Sequence, residues 1–232
     1  LDKRVRIGSI TKSFTATAIL QQSDEDTLTL DATLDQFVPG VPNGDKITIK
    51  HLMTMRSGVY DYTTYIGIQA LVIACPTWPF VHNQTLIDLI KKHPSQFAPG
   101  TQYAYNNSNY ILLGAVLEKV VGKPIWQILD EDIIKPVGLT NTQWPTTKGI
   151  SAPASHGYSN RLLFPKRLKD QTKVNTELYG AAGVLTSTVG DMLKWGEYLK
   201  TESLLAPNTH ELRTETFYGT PYPGEGPDHY GY

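Results

Sequence analysis

One stretch near the start of the sequence limits the fold more than any other. Apolar residues recur at helical spacing around most of the circumference between Ile7 and Leu20, which predicts a buried helix over about residues 9–22. Such a helix must be covered by other elements, so we expect it to lie in the core. Val5 and Ile7 alternate with charged residues and lead into Gly8, a pattern typical of a strand end that delivers the chain to this helix.

Ser9 and Lys12 stand at the start of the predicted helix. Residues three apart share a helix face, so the Ser9 hydroxyl and the Lys12 amine can come within hydrogen-bond reach, and the helix N-terminus favours an oxyanion beside Ser9. For Lys12 to act as a base, its pKa must fall from about 10.4 towards neutrality, which costs about 4 kcal/mol and requires burial. A Ser-x-x-Lys spacing also occurs about once by chance in a chain of this length, with the serine as a helix cap and the lysine in solvent.

Composition excludes several classes of function. The chain has 232 residues, 40% of them hydrophobic and 19% charged, with a formal net charge of −1, as in an ordinary globular protein of one large or two small domains. Without a basic run, nucleic acid and anionic membranes are not expected as partners. Cys75 is the only cysteine and is expected to be a small buried residue. Residues 68–75 form an apolar run too short to span a membrane, and no secretory leader is recognisable, so we expect a soluble chain.

The middle of the chain is predicted to be helical. Cap residues and prolines delimit three helices, over 84–93 after Asn83, from Asn107 or Ser108 to Gly122, and from Pro124 to about Pro136. Surface loops with room for one hairpin are expected over 145–177, followed by a helix capped by Thr186 or Ser187 and a short helix over 207–213. These patterns divide the chain into a nucleophile helix with its strand end (1–30), a mainly helical subdomain (31–178) and a return towards an α/β part (179–232).

A second pair of chemically useful side chains stands before the predicted helix that ends at Gly122. Tyr105 and Asn107 are two residues apart in a loop. A phenol near Lys12 can share its proton and relay it to a leaving group, while a carboxamide can accept from Lys12 and donate to a substrate carbonyl. These are the two tasks that a serine and a lysine alone leave undone.

In these motifs the chain resembles the serine β-lactamase and penicillin-binding D,D-peptidase superfamily, in the branch of class C β-lactamases, D-alanyl-D-alanine carboxypeptidases and esterases. Residues 9–12 match its Ser-x-x-Lys element and residues 105–107 its Tyr-x-Asn element, with further matches over 52–58, 136–139 and 180–188. The resemblance implies an α/β fold of the β-lactamase/transpeptidase type, with a helical region packed on an antiparallel sheet. One catalytic domain is expected, of which this chain holds only part.

The same resemblance implies the roles of the candidate residues. Ser9 would be acylated, Lys12 and Tyr105 would share general-base and general-acid duty, and Asn107 would bind the acyl amide of the substrate. Tyr103 is rejected for this role because Tyr105, rather than an asparagine, stands two residues after it. No metal and no cofactor are implied.

The implied substrate is a D-alanyl-D-alanine peptide of peptidoglycan, with β-lactams as acylating ligands and an extracytoplasmic location in the periplasm, the cell envelope or the medium. Activity on β-lactams or esters at the same site is the first alternative, and a non-catalytic scaffold is the second. Motifs of α/β-hydrolases, zinc peptidases, phosphate-binding loops and class A β-lactamases are absent from the sequence.

The third element of the family, a His-x-Gly or Lys-Thr-Gly triad, has one match in the sequence, at residues 229–231. This match stands where the family has the Tyr-Gly strand that leads up to the triad, so we interpret it as a coincidental match and not as the functional triad. The triad is expected after Tyr232, and the opening helix and first strands of the family before Leu1. The chain is therefore expected to be an internal piece of a longer protein.

Overall fold

The structure is a computed structural model. It describes residues 2–74, 77, 82–145, 149–159, 169–201, 204–214, 216–217, 220–221 and 230–231. Cys75, His229 and Tyr232 lie outside the described residues, and so do the expectations that concern them.

Most of the regular secondary structure of the described residues is helical. The α-helices are α1 (Thr11–Asp24), α2 (Ile49–Met53), α3 (Ile66–Ala74), α4 (Asn83–Lys91), α5 (Asn107–Val121), α6 (Ile125–Ile128), α7 (Lys135–Val137), α8 (Gly180–Gly183), α9 (Val189–Tyr198) and α10 (Pro207–Thr214). A π-helical stretch, Leu129–Ile134, joins α6 to α7. Turns of 3₁₀ helix lie at Gly8–Ile10, Leu34–Gln36, Tyr62–Thr64 and Glu177–Tyr179.

The strands of the described residues are short and pair in twos. Three pairs are antiparallel: β1 (Val5–Arg6) with β5 (Thr186–Ser187), β3 (Tyr158–Ser159) with β4 (Lys169–Asp170), and β6 (Thr216–Phe217) with β8 (Tyr230–Gly231). One pair is parallel, β2 (Gln102–Tyr103) with β7 (Thr220–Pro221). The first strand, β1, therefore pairs with a strand about 180 residues later in the chain, β5, which leads directly into α9.

The predicted core helix forms as α1 and is buried on most of its sides. Phe14, Ile19 and Leu20 are fully buried, and α1 packs against α5, α8 and the π-helical stretch. Trp195 of α9 stacks on Phe14 with ring centroids 4.2 Å apart, and its indole N–H donates to the Ser13 hydroxyl at 2.9 Å. Helix α1 therefore forms the centre around which the other helices pack.

Several predicted helix boundaries are wrong by a few residues. Residues 8–10 form a 3₁₀ turn, so α1 begins at Thr11, and Ile10 remains 49% exposed although its spacing predicted burial. The cap of α9 is Thr188, because residues 186–187 are paired in β5. The cap of α4 is His82 instead of Asn83.

The start of α5 also differs from the prediction, and a side chain of α5 holds the turn that follows α2. The cap of α5 is Asn106, whose side-chain oxygen accepts from the Ser108 N–H at 2.8 Å. Helix α2 ends at Met53, and Met55 has a left-handed backbone with φ of +60°. The sulfur of Met55 accepts from the side-chain amide of Asn109 at 3.2 Å, which holds this turn against α5.

Candidate active site

Ser9 lies where a strand leads into a helix. The N–H of Ile7 donates to the carbonyl of Leu185 at 3.1 Å, next to the β1–β5 pair. The chain then turns at Gly8, whose φ of +51° is a conformation that residues with a Cβ rarely adopt. Ser9 follows in the 3₁₀ turn and is exposed. Its hydroxyl is therefore accessible from solvent just before α1 begins.

Lys12, one turn later, is only 2% exposed. Its amine donates to the Ser9 Oγ at 3.1 Å, the Asn107 Oδ1 at 2.9 Å and the Ala182 carbonyl at 2.8 Å. An ammonium group has three protons, and these three acceptors use all of them. The two carbonyl oxygens cannot donate, so only the Ser9 hydroxyl among these partners can give a proton to the neutral amine. The arrangement therefore suits Lys12 to act as a base towards Ser9.

The pKa of Lys12 is lowered from 10.5 to about 8 by burial, while the charge of Asp61 acts in the opposite direction. At a pKa of about 8, roughly one amine in ten is neutral at pH 7, compared with about one in 3,000 for an ordinary lysine. The Nζ also lies 5.0 Å from the ring centroid of Tyr105 and 5.6 Å from that of Tyr110, contacts that favour the ammonium form. Lys12 is thus ready to exchange a proton near neutral pH.

Tyr105 approaches Ser9 from another direction. Its hydroxyl donates to the Ser9 Oγ at 2.7 Å. Burial raises the pKa of Tyr105, the hydrogen bond with Ser9 opposes this rise, and the charge of Asp61 adds to it. The phenol therefore stays protonated at neutral pH and can act as a proton donor. Tyr103 belongs to β2 and is buried, and it is Tyr105 that the structure places on Ser9.

Asn107 is the first residue of α5, and the residue between it and Tyr105 fixes the loop. The side chain of Asn106 accepts from the Ser108 N–H at 2.8 Å and donates to the Val59 carbonyl at 2.6 Å. Tyr105 and Asn107 therefore flank a buried, doubly bonded residue. This anchor explains how the side chains of Tyr105 and Asn107 can be held against Ser9 and Lys12.

The Ala182 carbonyl reaches Lys12 because α8 lies close to both α1 and α5. The Thr15 hydroxyl of α1 donates to the Ala181 carbonyl at 2.8 Å. A Cβ added to Gly114 of α5 would lie 2.9 Å from the Cβ of Ala181, so only glycine allows this approach.

Two groups of the site have no counterpart in the sequence analysis. The Ala182 group acts through its backbone, which a side-chain motif cannot reveal. Asp61 is half-buried, and its Oδ1 accepts from the backbone N–H of Thr63 at 2.9 Å and from the Thr63 hydroxyl at 2.8 Å. Its charge acts against the lowering of the Lys12 pKa by burial. A lone aspartate between two tyrosines follows no recognisable spacing, so nothing in the sequence singles it out.

The structure thus brings Ser9, Lys12, Tyr105 and Asn107 into one hydrogen-bond network. Within the described ranges, no group of three or more His, Cys, Asp or Glu side chains could hold a metal ion. Nor does that part of the chain contain a helix with the length and apolar character needed to cross a membrane.

Comparison with known proteins places this network in a family. A family model described as Beta-lactamase matches residues 1–232. The D-alanyl-D-alanine-carboxypeptidase/endopeptidase AmpH of Escherichia coli K12 is 29% identical over 212 residues, which cover 87% of this chain and 50% of AmpH. The structure of a D-stereospecific amidohydrolase from Streptomyces sp. has a TM-score of 0.89 and 33% identity, over 99% of this chain and 70% of that chain. For a penicillin-binding protein from Bacillus halodurans, the TM-score is 0.83 and the identity 27%, over 100% and 68% of the two chains.

This chain spans about half the length of the curated relatives that it matches. Its helical region with antiparallel strands is the β-lactamase/transpeptidase-like fold of the solved neighbours, as the motifs predicted. Since the family model matches the chain from its first residue to its last, this protein belongs to the β-lactamase family, whose relatives here include penicillin-binding proteins and D-alanyl-D-alanine carboxypeptidases.

Proposed function

We propose that this protein is a serine hydrolase that forms an acyl-serine intermediate on Ser9 and acts on D-alanyl-D-alanine peptides of peptidoglycan. One observation carries the proposal: the Ser9 Oγ accepts from the Lys12 amine at 3.1 Å and from the Tyr105 phenol at 2.7 Å. A hydroxyl between a titratable amine and a protonated phenol has both a base and an acid at hand.

The proposed reaction assigns one task to each group. The Ser9 oxygen attacks the substrate carbonyl carbon while Lys12 takes the hydroxyl proton, so that a C–O bond forms. The C–N bond of the substrate then breaks, and Tyr105 supplies a proton to the leaving amine. The Lys12 ammonium returns the Ser9 proton to the Tyr105 phenolate, and water then hydrolyses the acyl-serine ester and frees Ser9. Asn107 accepts from Lys12 through its Oδ1, which leaves its NH₂ group to donate to the acyl amide of the substrate.

A D-amino acid amide is the second candidate substrate. The D-stereospecific amidohydrolase favours this candidate, because its structure has a higher TM-score and a higher sequence identity to this chain than the penicillin-binding protein described above. β-Lactams and esters undergo the same acyl transfer and differ in how fast water clears the acyl-enzyme. A peptidoglycan substrate would require the protein to work outside the cytoplasm, in the periplasm, the cell envelope or the medium.

Labelling with a fluorescent penicillin tests the acyl-serine step. Mass spectrometry of the labelled full chain is expected to place the adduct on Ser9, and Ser9→Ala is expected to abolish it. Ser23→Ala, near the other end of α1, is the matched control and should keep full labelling. An adduct on another residue, or none on the folded protein, would contradict the proposal and favour a non-catalytic scaffold.

Turnover then ranks the substrates. The full chain is expected to release D-alanine from a D-alanyl-D-alanine peptide faster than it hydrolyses D-amino acid amides, cephalosporins or short-chain esters, compared by kcat/KM. A higher kcat/KM for D-amino acid amides would favour the second candidate.

A further inference from the structure

We propose that Met55 is a positioning residue for Tyr105 and that it acts through its sulfur atom, which accepts hydrogen bonds from the loop that carries the phenol. Because this role presupposes that Tyr105 serves an acyl-serine enzyme, it rests on the function proposed above. Met55 is fully buried behind this loop, so its effect on Ser9 would pass through Tyr105.

Two atoms of Met55 bind the backbone on both sides of Tyr105. The Ala104 N–H donates to the Met55 carbonyl at 3.1 Å, and the Asn106 N–H donates to the Met55 sulfur at 3.4 Å. Tyr105 is therefore held between two hydrogen bonds that end on one residue. From this position its hydroxyl reaches the Ser9 Oγ at 2.7 Å.

The sulfur of Met55 also belongs to a closed ring of hydrogen bonds. It accepts from the side-chain amide of Asn109 at 3.2 Å, and the Asn109 Oδ1 accepts from the Ser57 hydroxyl. The Ser57 Oγ accepts from the Val59 N–H at 3.2 Å, and the Val59 carbonyl accepts from the Asn106 side chain at 2.6 Å. The Asn106 N–H on the sulfur closes the ring. Each residue of the ring is at most 3% exposed.

The ring depends on the sulfur because two buried donors share it as their acceptor. A thioether is a weak acceptor, but a buried N–H with no acceptor at all is costly. Without the sulfur, the Asn106 N–H and the Asn109 amide must turn towards other acceptors, and the loop before α5 must move with them. The cap bond of α5, from the Ser108 N–H to the Asn106 Oδ1, does not involve the sulfur. Asn107 is therefore held by its helix, and the displacement should fall on Tyr105.

The backbone conformation of Met55 supports this role. Its φ of +60° is one in which glycine, asparagine and aspartate are the usual residues. Such conformations persist where the surroundings fix them, often next to functional sites. Glycine in this place would keep the carbonyl bond to Ala104 but would lose the acceptor for Asn106 and Asn109. The sulfur contacts thus give a physical reason for methionine at this position.

A double-mutant cycle with Tyr105 tests the proposal. Met55→Leu keeps a buried apolar side chain without a branched Cβ but removes the acceptor. The second-order rate constant for Ser9 acylation by fluorescent penicillin is expected to fall about 10–10²-fold, since a displacement of about 1 Å at a reacting group has an effect of this size. In Tyr105→Phe, which already lacks the phenol, the added Met55→Leu should change the remaining rate by less than about twofold. A general loosening of the fold would lower the rate by the same factor in both backgrounds.

The chain offers a matched control in Met53. This methionine lies in α2, is as fully buried as Met55, and accepts no hydrogen bond at its sulfur from the residues that the structure describes. Met53→Leu should therefore keep the wild-type rate. If Met55→Leu does not fold, norleucine at position 55 takes its place in the cycle, in a chain that also carries Met53→Leu and Met192→Leu. Norleucine differs from methionine only by a methylene in place of the sulfur.

The outcomes for Met55 and for the proposed function are distinct. A folded Met55→Leu variant with the wild-type rate overturns the role of Met55, and so does an equal loss of rate with and without the Tyr105 phenol. An equal loss in Met53→Leu would mean that apolar packing, and not the sulfur, sets the rate. In all these cases the acyl-serine function stands. Absence of a Ser9 adduct in the wild-type protein refutes the proposed function instead.

Discussion

Acylation of Ser9 is expected to follow the titration of Lys12. With a pKa of about 8 for Lys12, the neutral fraction of its amine is about one in a hundred at pH 6, about one in ten at pH 7 and about one half at pH 8. Because only the neutral amine can take the hydroxyl proton, the second-order rate constant should rise about tenfold from pH 6 to 7 and about fivefold from pH 7 to 8. Above pH 8 it should gain only about a further factor of two.

The assay is time-resolved labelling with fluorescent penicillin at constant ionic strength, with the Ser9 adduct quantified at each pH. Lys12→Ala should lower the rate constant by about 10²–10⁴-fold, the usual contribution of a general base, and should remove the rise between pH 6 and 8. Lys194→Ala is the matched control, since the Lys194 amine also donates to a backbone carbonyl, that of Gly138 at 2.8 Å, but is exposed.

Two results would refute this reasoning. A rate constant that keeps rising tenfold per pH unit through pH 9 would mean that the titrating base has an ordinary lysine pKa. A Lys12→Ala variant that retains the wild-type profile would mean that another group takes the proton.

The packing and burial of the site lead to two further predictions. Between pH 8 and 10.5 the unfolded chain binds a proton at Lys12 that the folded chain does not, so the contribution of Lys12 to stability should rise with pH by about 1.4 kcal/mol per unit, about 3 kcal/mol in all. Lys12→Met lacks this contribution, so the difference in urea-unfolding free energy between wild type and variant should grow with pH. A difference that stays constant from pH 8 to 10.5 would contradict the prediction. Gly114→Ala places a Cβ 2.9 Å from that of Ala181 and should destabilise the fold by about 1–3 kcal/mol. Gly196→Ala in α9 has open space around its new Cβ and should be neutral or stabilise by up to about 1 kcal/mol, so equal melting temperatures of the two variants would be inconsistent with the packing.

The features that the sequence predicted well are those set by local rules. The burial of α1 follows from apolar spacing, and the closeness of Ser9 and Lys12 follows from helix geometry. The end of α5 at Gly122 follows from the left-handed backbone of that residue, with φ of +73°. The approach of Tyr105 to Ser9 came only through the resemblance, because no local rule joins residues 96 positions apart.

The remaining features depend on contacts between distant segments. The pairing of Val5 with Ser187 and the parallel pairing of Gln102 with Thr220 could not be deduced from either strand alone. Asp61 was missed because its charge acts on Lys12, a residue 49 positions earlier, and no sequence spacing records such a tertiary relation. The caps of α5 and α9 shifted by one or two residues because neighbouring Asn, Ser and Thr residues compete for the same role.

The groups that surround Ser9 and Lys12 come from distant parts of the chain. The contacts of Lys12 with Asn107 and Ala182 close loops of 95 and 170 residues, and contacts of such length form late because the entropy of closing the loop must be overcome first. A chain in which only the nucleophile helix has formed leaves its amine in water, positively charged and inert towards penicillin. If Ser9 is acylated as proposed, labelling by penicillin would count native molecules only, and timed pulses of the label during refolding would measure when tertiary assembly is finished.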